Sequence, residues 1–221
     1  MTEVRTLRAD TLGRYLVEPA RVPGAEADLL VGFHGYGQSA DHLLQDLRRI
    51  PGAEAWTLVS VQALHRFYNS RTQEVVGSWM TSLDREQAIE DNLAYVGRVV
   101  EALRVEGHRG RLVFAGFSQG AAMAWRAAGR ASTQGEPCHG LLVLGGDLPR
   151  DVAELPALDL PPTLIGRGET DTFYPVPQLE RDLAALRARG LQAEVARFEG
   201  GHEWAPGFLT AAGRFLAGLR G

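Results

Sequence analysis

Gly116-Phe117-Ser118-Gln119-Gly120 places a serine between two glycines, directly after the apolar run Arg111-Leu112-Val113-Phe114-Ala115 and directly before Ala121-Ala122-Met123-Ala124-Trp125. The order reads as a strand, a sharp turn and a helix. Glycines flank the serine because side chains at those positions would collide with the neighbouring strand and helix, so the serine sits alone on a strained elbow. The following helix aims its unpaired backbone N–H groups, and the positive end of its dipole, at the place where negative charge would build on an attacked carbonyl.

Working outward from the elbow, short continuous apolar runs recur: Leu29 to Phe33, Trp56 to Val61, Arg111 to Ala115, Gly140 to Leu144 and Pro162 to Ile165. Runs of this length, bounded by Gly and Pro, predict strands buried on both faces and therefore a largely parallel sheet. Helical patterns lie between them. The clearest opens at Asp84, with Gln87 three residues on as a capping box, and places Ala88, Ile89, Leu93, Val96, Val100 and Leu103 on one stripe before Gly107. Gln178 to Arg189, followed by Gly190, has the same form. Alternating strands and helices imply an open, doubly wound sheet with helices on both faces. The first 27 residues show two short alternating stretches around Gly13, expected to form an antiparallel hairpin at one sheet edge, and Val195 to Phe198 is expected at the other. With no long repeat or linker-like tract, residues 1–221 read as one domain.

Composition removes several reaction classes. All 23 basic residues are arginine, so there is no Schiff-base lysine, no phosphate-loop lysine and no lysine base. Arginine stays protonated and cannot serve as a base. A net charge of −4 offers no basic field to nucleic acid or an anionic membrane. Cys138 is the only cysteine, which excludes an internal disulfide and any multi-cysteine metal site, and its expected role is a buried, inert thiol. The first residues lack the apolar segment of a secretory signal and no apolar run reaches membrane-spanning length, so a cytoplasmic location is expected. No cofactor is called for, and no metal.

A nucleophilic Ser118 requires a histidine, a carboxylate and a second oxyanion donor. In the elbow architecture these follow in the order serine, acid, histidine. Only His139 and His202 come after Ser118. His139 opens a strand, at the end opposite the elbow, whereas His202 follows the last predicted strand on a loop at its C-terminal end, where sites form in open α/β sheets. For the acid, Asp171 follows Thr163-Leu164-Ile165 and leads toward the strand that delivers His202, which favours it over Asp147 and Glu169. The competing reading of Asp171 is an N-cap for the next helix. His34-Gly35-Tyr36-Gly37 follows the strand Leu29 to Phe33, and its glycines let the backbone approach a substrate carbonyl, so that the Tyr36 N–H joins the Gln119 N–H as oxyanion donor. His34 itself reads as a brace for that loop.

These pieces, together with Gly77-Ser78-Trp79, Pro175-Val176 and Gly201-His202, resemble the phospholipase/carboxylesterase group of α/β-hydrolases, which includes acyl-protein thioesterases. The resemblance runs in order along nearly the whole chain. It implies an α/β-hydrolase fold with little or no lid, a Ser118, Asp171 and His202 triad, an oxyanion hole at Tyr36 and Gln119, and Trp79 beside the acyl pocket. Departures are Ala121, where the family often has a second glycine, and the segment His65 to Asn69. Phe67, Tyr68, Trp79, Met80, Phe173 and Tyr174 fall in predicted loops at the elbow end, as candidate linings of an apolar cleft. The expected activity is hydrolysis of short- to medium-chain acyl esters or thioesters, small molecules, by a chain for which a homodimer is left open. Two other classes compete: a binding protein on a hydrolase scaffold, and a metal-dependent hydrolase. The second is disfavoured because His202-Glu203 is followed by Pro206 where a zinc helix would need histidine, and because His42, imaginable as a ligand with His34 and Asp41, is expected on a helix surface.

Overall fold

A computed structural model describes residues 1–22, 28–156 and 158–220. Seven strands form one sheet: β1 (Arg14–Glu18), β2 (Leu29–Phe33), β3 (Thr57–Gln62), β6 (Leu112–Phe117), β7 (Gly140–Leu144), β8 (Thr163–Gly168) and β9 (Glu194–Phe198), in the spatial order β1-β3-β2-β6-β7-β8-β9. All neighbours are parallel except β1 and β3. The parallel arrangement follows from the buried strand composition: every residue of β2, β3, β6, β7 and β8 is buried, so helices must cover both faces.

Strand alternation divides the core into two layers. Leu29, Val31 and Phe33 face α2 (Arg85–Val105), α3 (Gln119–Gln134) and the Leu179 and Leu186 side of α5 (Val176–Ala188). Leu30, Val113, Leu142 and Leu164 face α1 (Ala40–Arg48) and α6 (Pro206–Gly218). The remaining elements are a short helix α4 (Arg150–Ala153), a 3-10 turn at Ala53–Ala55 and a separate antiparallel pair, β4 (His65–Tyr68) with β5 (Val75–Ser78). The sheet winds from β2 to β3 on one side and then from β6 outward on the other. Connections leaving the C-terminal ends of β2 and β6 therefore diverge, and this switch point is where an open α/β sheet forms a crevice.

Three expectations need correction. No hairpin forms around Gly13: residues 1–13 carry no strand, and only β1 pairs, antiparallel to β3, while residues 23–27 lie outside the described part. Val4, Leu7 and Leu12 are exposed, so nothing buried rewards a second strand there. Asp84 does not cap α2; it sits at φ 48° without a side-chain cap bond, and Gln87 donates instead to Asp91 at 2.8 Å. Phe67 and Tyr68 lie on a strand, β4, because Asn69 builds the adjoining turn, its side-chain oxygen accepting from the N–H groups of Arg71 and Thr72. At the end of the sheet away from the elbow, the His139 ring accepts from the Leu112 N–H, and burial pushes the Cys138 thiol up to about 12.

Candidate active site

The connections after β2, β6, β7, β8 and β9 converge at the C-terminal edge of the sheet. Ser118 follows β6 directly at φ 55° and ψ −119°, a conformation rarely taken by a residue with a side chain, and serves as N-cap residue of α3. Its backbone N–H is held by the Leu144 carbonyl of β7 at 2.9 Å. The glycines on either side are sterically required. A Cβ on Gly116 would lie 2.2 Å from the Gly120 carbonyl oxygen, and one on Gly120 would lie 2.0 Å from the Phe33 oxygen. The second clash shows how closely the start of α3 presses on the end of β2, which brings Gln119 against the loop His34 to Gly37.

That loop is locked from behind. His34 is fully buried; its Nδ1 donates to the Gly35 carbonyl at 2.8 Å, and its Nε2 accepts from the Ala63 N–H at 3.1 Å. The bond accepted at Nε2 needs a neutral ring, and burial holds the imidazole pKa down at about 4. Trp79 is also fully buried and donates its indole N–H to the His34 carbonyl at 2.7 Å. The Gln119 side chain is tied to the same segment, its oxygen accepting from the Trp79 N–H and its amide donating to the Met80 carbonyl. Among the described residues, the backbone N–H groups of Tyr36 and Gln119 have no acceptor within the protein. Two free donors thus sit on abutting segments, one on the residue after Ser118 and one on the loop after β2.

His202 and Asp171 meet across the ends of β8 and β9. His202 Nδ1 lies 2.9 Å from Asp171 Oδ2, with the histidine side chain 18% exposed and the carboxylate 1%. Asp171 Oδ1 accepts from the N–H groups of Phe173 at 2.8 Å and Tyr174 at 3.0 Å, so the acid is aimed by its own loop. It does not cap α5, whose N-cap is Pro175. Asp147 and Glu169 are exposed, and neither bonds His202 among the described residues. The His202 ring lies between Phe117, at 4.8 Å between centroids, and Phe173, at 4.9 Å.

A pair of glycines escaped the sequence reading and completes the packing. A Cβ on Gly145 would stand 2.9 Å from the His202 ring, and one on Gly146 would stand 2.6 Å from the Ser118 carbonyl oxygen. This short stretch after β7 thus packs as bare backbone against both the His202 ring and the Ser118 carbonyl. Its signal was present as Gly145-Gly146 after a strand, but a double glycine alone does not say what it lets approach. No hydrogen bond joins Ser118 to His202 among the described residues; such contacts often tighten only with substrate bound.

The candidate substrate contacts divide sharply. Phe173 is 79% exposed, Tyr68 69% and Phe67 37%, and the Phe67 ring packs 5.6 Å from that of Tyr36. Trp79, Met80 and Tyr174 are core residues instead; Trp79 spends its indole N–H on the His34 carbonyl and its rings on Phe33. The side chains imagined as metal ligands do not converge: both ring nitrogens of His34 are used internally, and His42 closes a capping box with Ser39 at the start of α1.

The fold and this arrangement of loops are those of an α/β-hydrolase. Residues 17–219 match the model of the phospholipase/carboxylesterase family, and the chain belongs to that family. Esterase PE8 is 26% identical, with a TM-score of 0.73 over 95% of this chain and 100% of its own. Acyl-protein thioesterase 2 of Zea mays is 22% identical, with a TM-score of 0.74 over 95% and 100% respectively. The Bacillus cereus carboxylesterase, 15% identical, has a TM-score of 0.72 over 95% and 96%; these two show likeness of fold. No curated protein sequence matches the chain. It is a hydrolase of the esterase type, and no helix among the described residues is long and apolar enough to cross a membrane.

Proposed function

We propose that the protein is a serine carboxylic-ester hydrolase with Ser118 as nucleophile, His202 as base, Asp171 as orienting acid, and the Tyr36 and Gln119 N–H groups as oxyanion hole. The observation that carries this reading is the buried Asp171 carboxylate on His202 Nδ1 at 2.9 Å, next to a serine held at φ 55°. With Nδ1–H donated to Asp171, Nε2 keeps the lone pair that a general base needs.

The Ser118 oxygen attacks the acyl carbonyl while its proton passes to His202 Nε2. The resulting imidazolium is held by Asp171, and the oxyanion by the two free N–H groups at the start of α3 and in the loop after β2. Collapse of the tetrahedral intermediate expels the alcohol or thiol, which takes the proton from Nε2 and leaves an acyl-enzyme. Water then adds with the same base and releases the acid. The carboxylate stays ionised throughout and acts by orientation.

Beside the triad, the exposed rings of Phe173, on His202, and of Phe67, on Tyr36, offer apolar contact, with Tyr68 exposed on the same strand as Phe67. With no insertion long enough for a large lid in the sequence, the site reads as open, which favours short and medium acyl groups in esters or thioesters over emulsified lipid. Labelling with a fluorophosphonate, and its loss in Ser118→Ala, tests the nucleophile; retained labelling in that variant would overturn the assignment. Across p-nitrophenyl esters from acetate to palmitate, kcat/KM should peak below palmitate, and a maximum at palmitate refutes the size preference.

A further inference from the structure

We propose that Arg167 is a positioning residue that holds the acid of the triad through the backbone of its loop; the inference rests on Asp171 and His202 acting as assigned above. Arg167 lies near the end of β8 and is 6% exposed. Its Nε donates to the Tyr174 carbonyl at 2.8 Å, Nη2 to the Asp171 carbonyl at 3.2 Å and Nη1 to the Glu169 carbonyl at 3.5 Å. All three acceptors belong to one connection, residues 169–174 between β8 and α5. Among the described residues no carboxylate forms an ion pair with it.

A guanidinium out of water is costly unless its donors are filled, and here only backbone carbonyls fill them. The planar fork suits this task because five N–H groups diverge from one rigid plane, so carbonyls on both sides of a bend can be gripped together. The grip is complementary to that of the acid itself. Asp171 Oδ1 takes the N–H groups of Phe173 and Tyr174, while Arg167 takes the carbonyls of Asp171 and Tyr174. Between them the two side chains occupy both kinds of backbone group in the bend. Oδ2 is then left with a single direction, toward His202.

The far side of the loop is anchored separately. Tyr174 donates its hydroxyl to the buried carboxylate of Asp182 on α5 at 2.8 Å, and Asp182 also accepts from the Leu148 N–H at 3.1 Å. Removing Arg167 therefore releases the carbonyls of Asp171 and Tyr174, while the Tyr174 hydroxyl stays on Asp182 and the Asp171 N–H stays on the Gly168 carbonyl, so the bend loosens around the acid without coming apart. The consequence is a displaced carboxylate, which appears in kcat and not in substrate affinity.

The experiment is a double-mutant cycle on the full chain, with a p-nitrophenyl ester as probe. Arg167→Gln should lower kcat by about tenfold to a hundredfold, the scale of a displaced catalytic group, with KM changed by less than about threefold. Arg167→Lys, which keeps the charge but loses the fork, should recover only part of that loss. In an Asp171→Asn background the same Arg167→Gln change should cost less than about threefold, since the acid it positions is already gone. Equal losses in both backgrounds, or a kcat within twofold of the parent, overturn the proposal. Should Arg167→Gln not fold, the Lys variant in the two backgrounds decides by the same criterion. Retained activity in Ser118→Ala would instead refute the underlying triad, which keeps the two failures distinct.

Discussion

Acid should weaken this protein through His34, a residue that touches no substrate. In the folded chain the ring is fully buried and its pKa is pushed down to about 4, against 6.5 for an ordinary histidine, because burial disfavours the charged ring. Between those two values the unfolded chain binds a proton that the folded chain refuses. Stability is therefore fully present above the unfolded pKa and is lost as pH falls from 6.5 toward 4. From these two values the loss is about 2 kcal/mol by pH 5 and about 3 kcal/mol by pH 4, relative to pH 7. Protonation would also remove the acceptor at Nε2, which holds the Ala63 N–H, and so loosen the loop that carries Tyr36. His34→Gln supplies an uncharged side chain with an acceptor and does not titrate. Urea unfolding of parent and variant should be run side by side from pH 7 to pH 4, so that all other titrating groups cancel. The variant will be less stable at pH 7, and the gap should close by about 2 kcal/mol on reaching pH 5. Parallel stability curves, differing by a constant amount across that range, would refute the argument that the ring is held neutral.

Three further outcomes are expected. Asp171→Asn should lower kcat by roughly ten-thousandfold while Asp147→Asn stays within about twofold, because only the first carboxylate meets His202 at 2.9 Å; steady-state kinetics of the pair would reverse the assignment if only Asp147→Asn lost activity. Gly116→Ala should cost at least about 2 kcal/mol and abolish fluorophosphonate labelling, since its methyl would stand 2.2 Å from the Gly120 oxygen; a melting curve matching the parent's would mean the elbow can relax. Phe173→Ala, at a ring 79% exposed and laid on His202, should leave unfolding free energy within about 0.5 kcal/mol yet lower kcat/KM, and a drop in stability with unchanged kinetics would make it a packing residue.

Much of the architecture was readable before any coordinates. The runs Leu29 to Phe33 and Gly140 to Leu144 coincide with β2 and β7, because an all-apolar stretch of that length bounded by Gly or Pro has few outlets except a strand covered on both faces. Gly107 and Gly190 follow their helices with φ of 108° and 73°, backbone geometry that glycine reaches without strain. Asp84 shows where this kind of reading stops. Its spacing to Gln87 matches a capping box, but the backbone arrives at φ 48° and the side chain makes no cap bond to the helix N–H groups.

Local order along the chain therefore determined which residues could do chemistry: a serine between glycines, a glycine loop after a strand, an acid and a histidine after later strands. Each of those signals depends only on near neighbours, through sterics and strand burial. Tertiary structure alone decided what required distant segments to meet. It brought Asp171, already favoured by its place in the chain, to 2.9 Å from His202, took Trp79 from the expected cleft into the core, and set Gly145 against the His202 ring and Gly146 against the Ser118 carbonyl. It also wrapped the acid loop around Arg167. Distances across a sheet follow from how seven strands are ordered and packed, and a position in the chain does not carry that information.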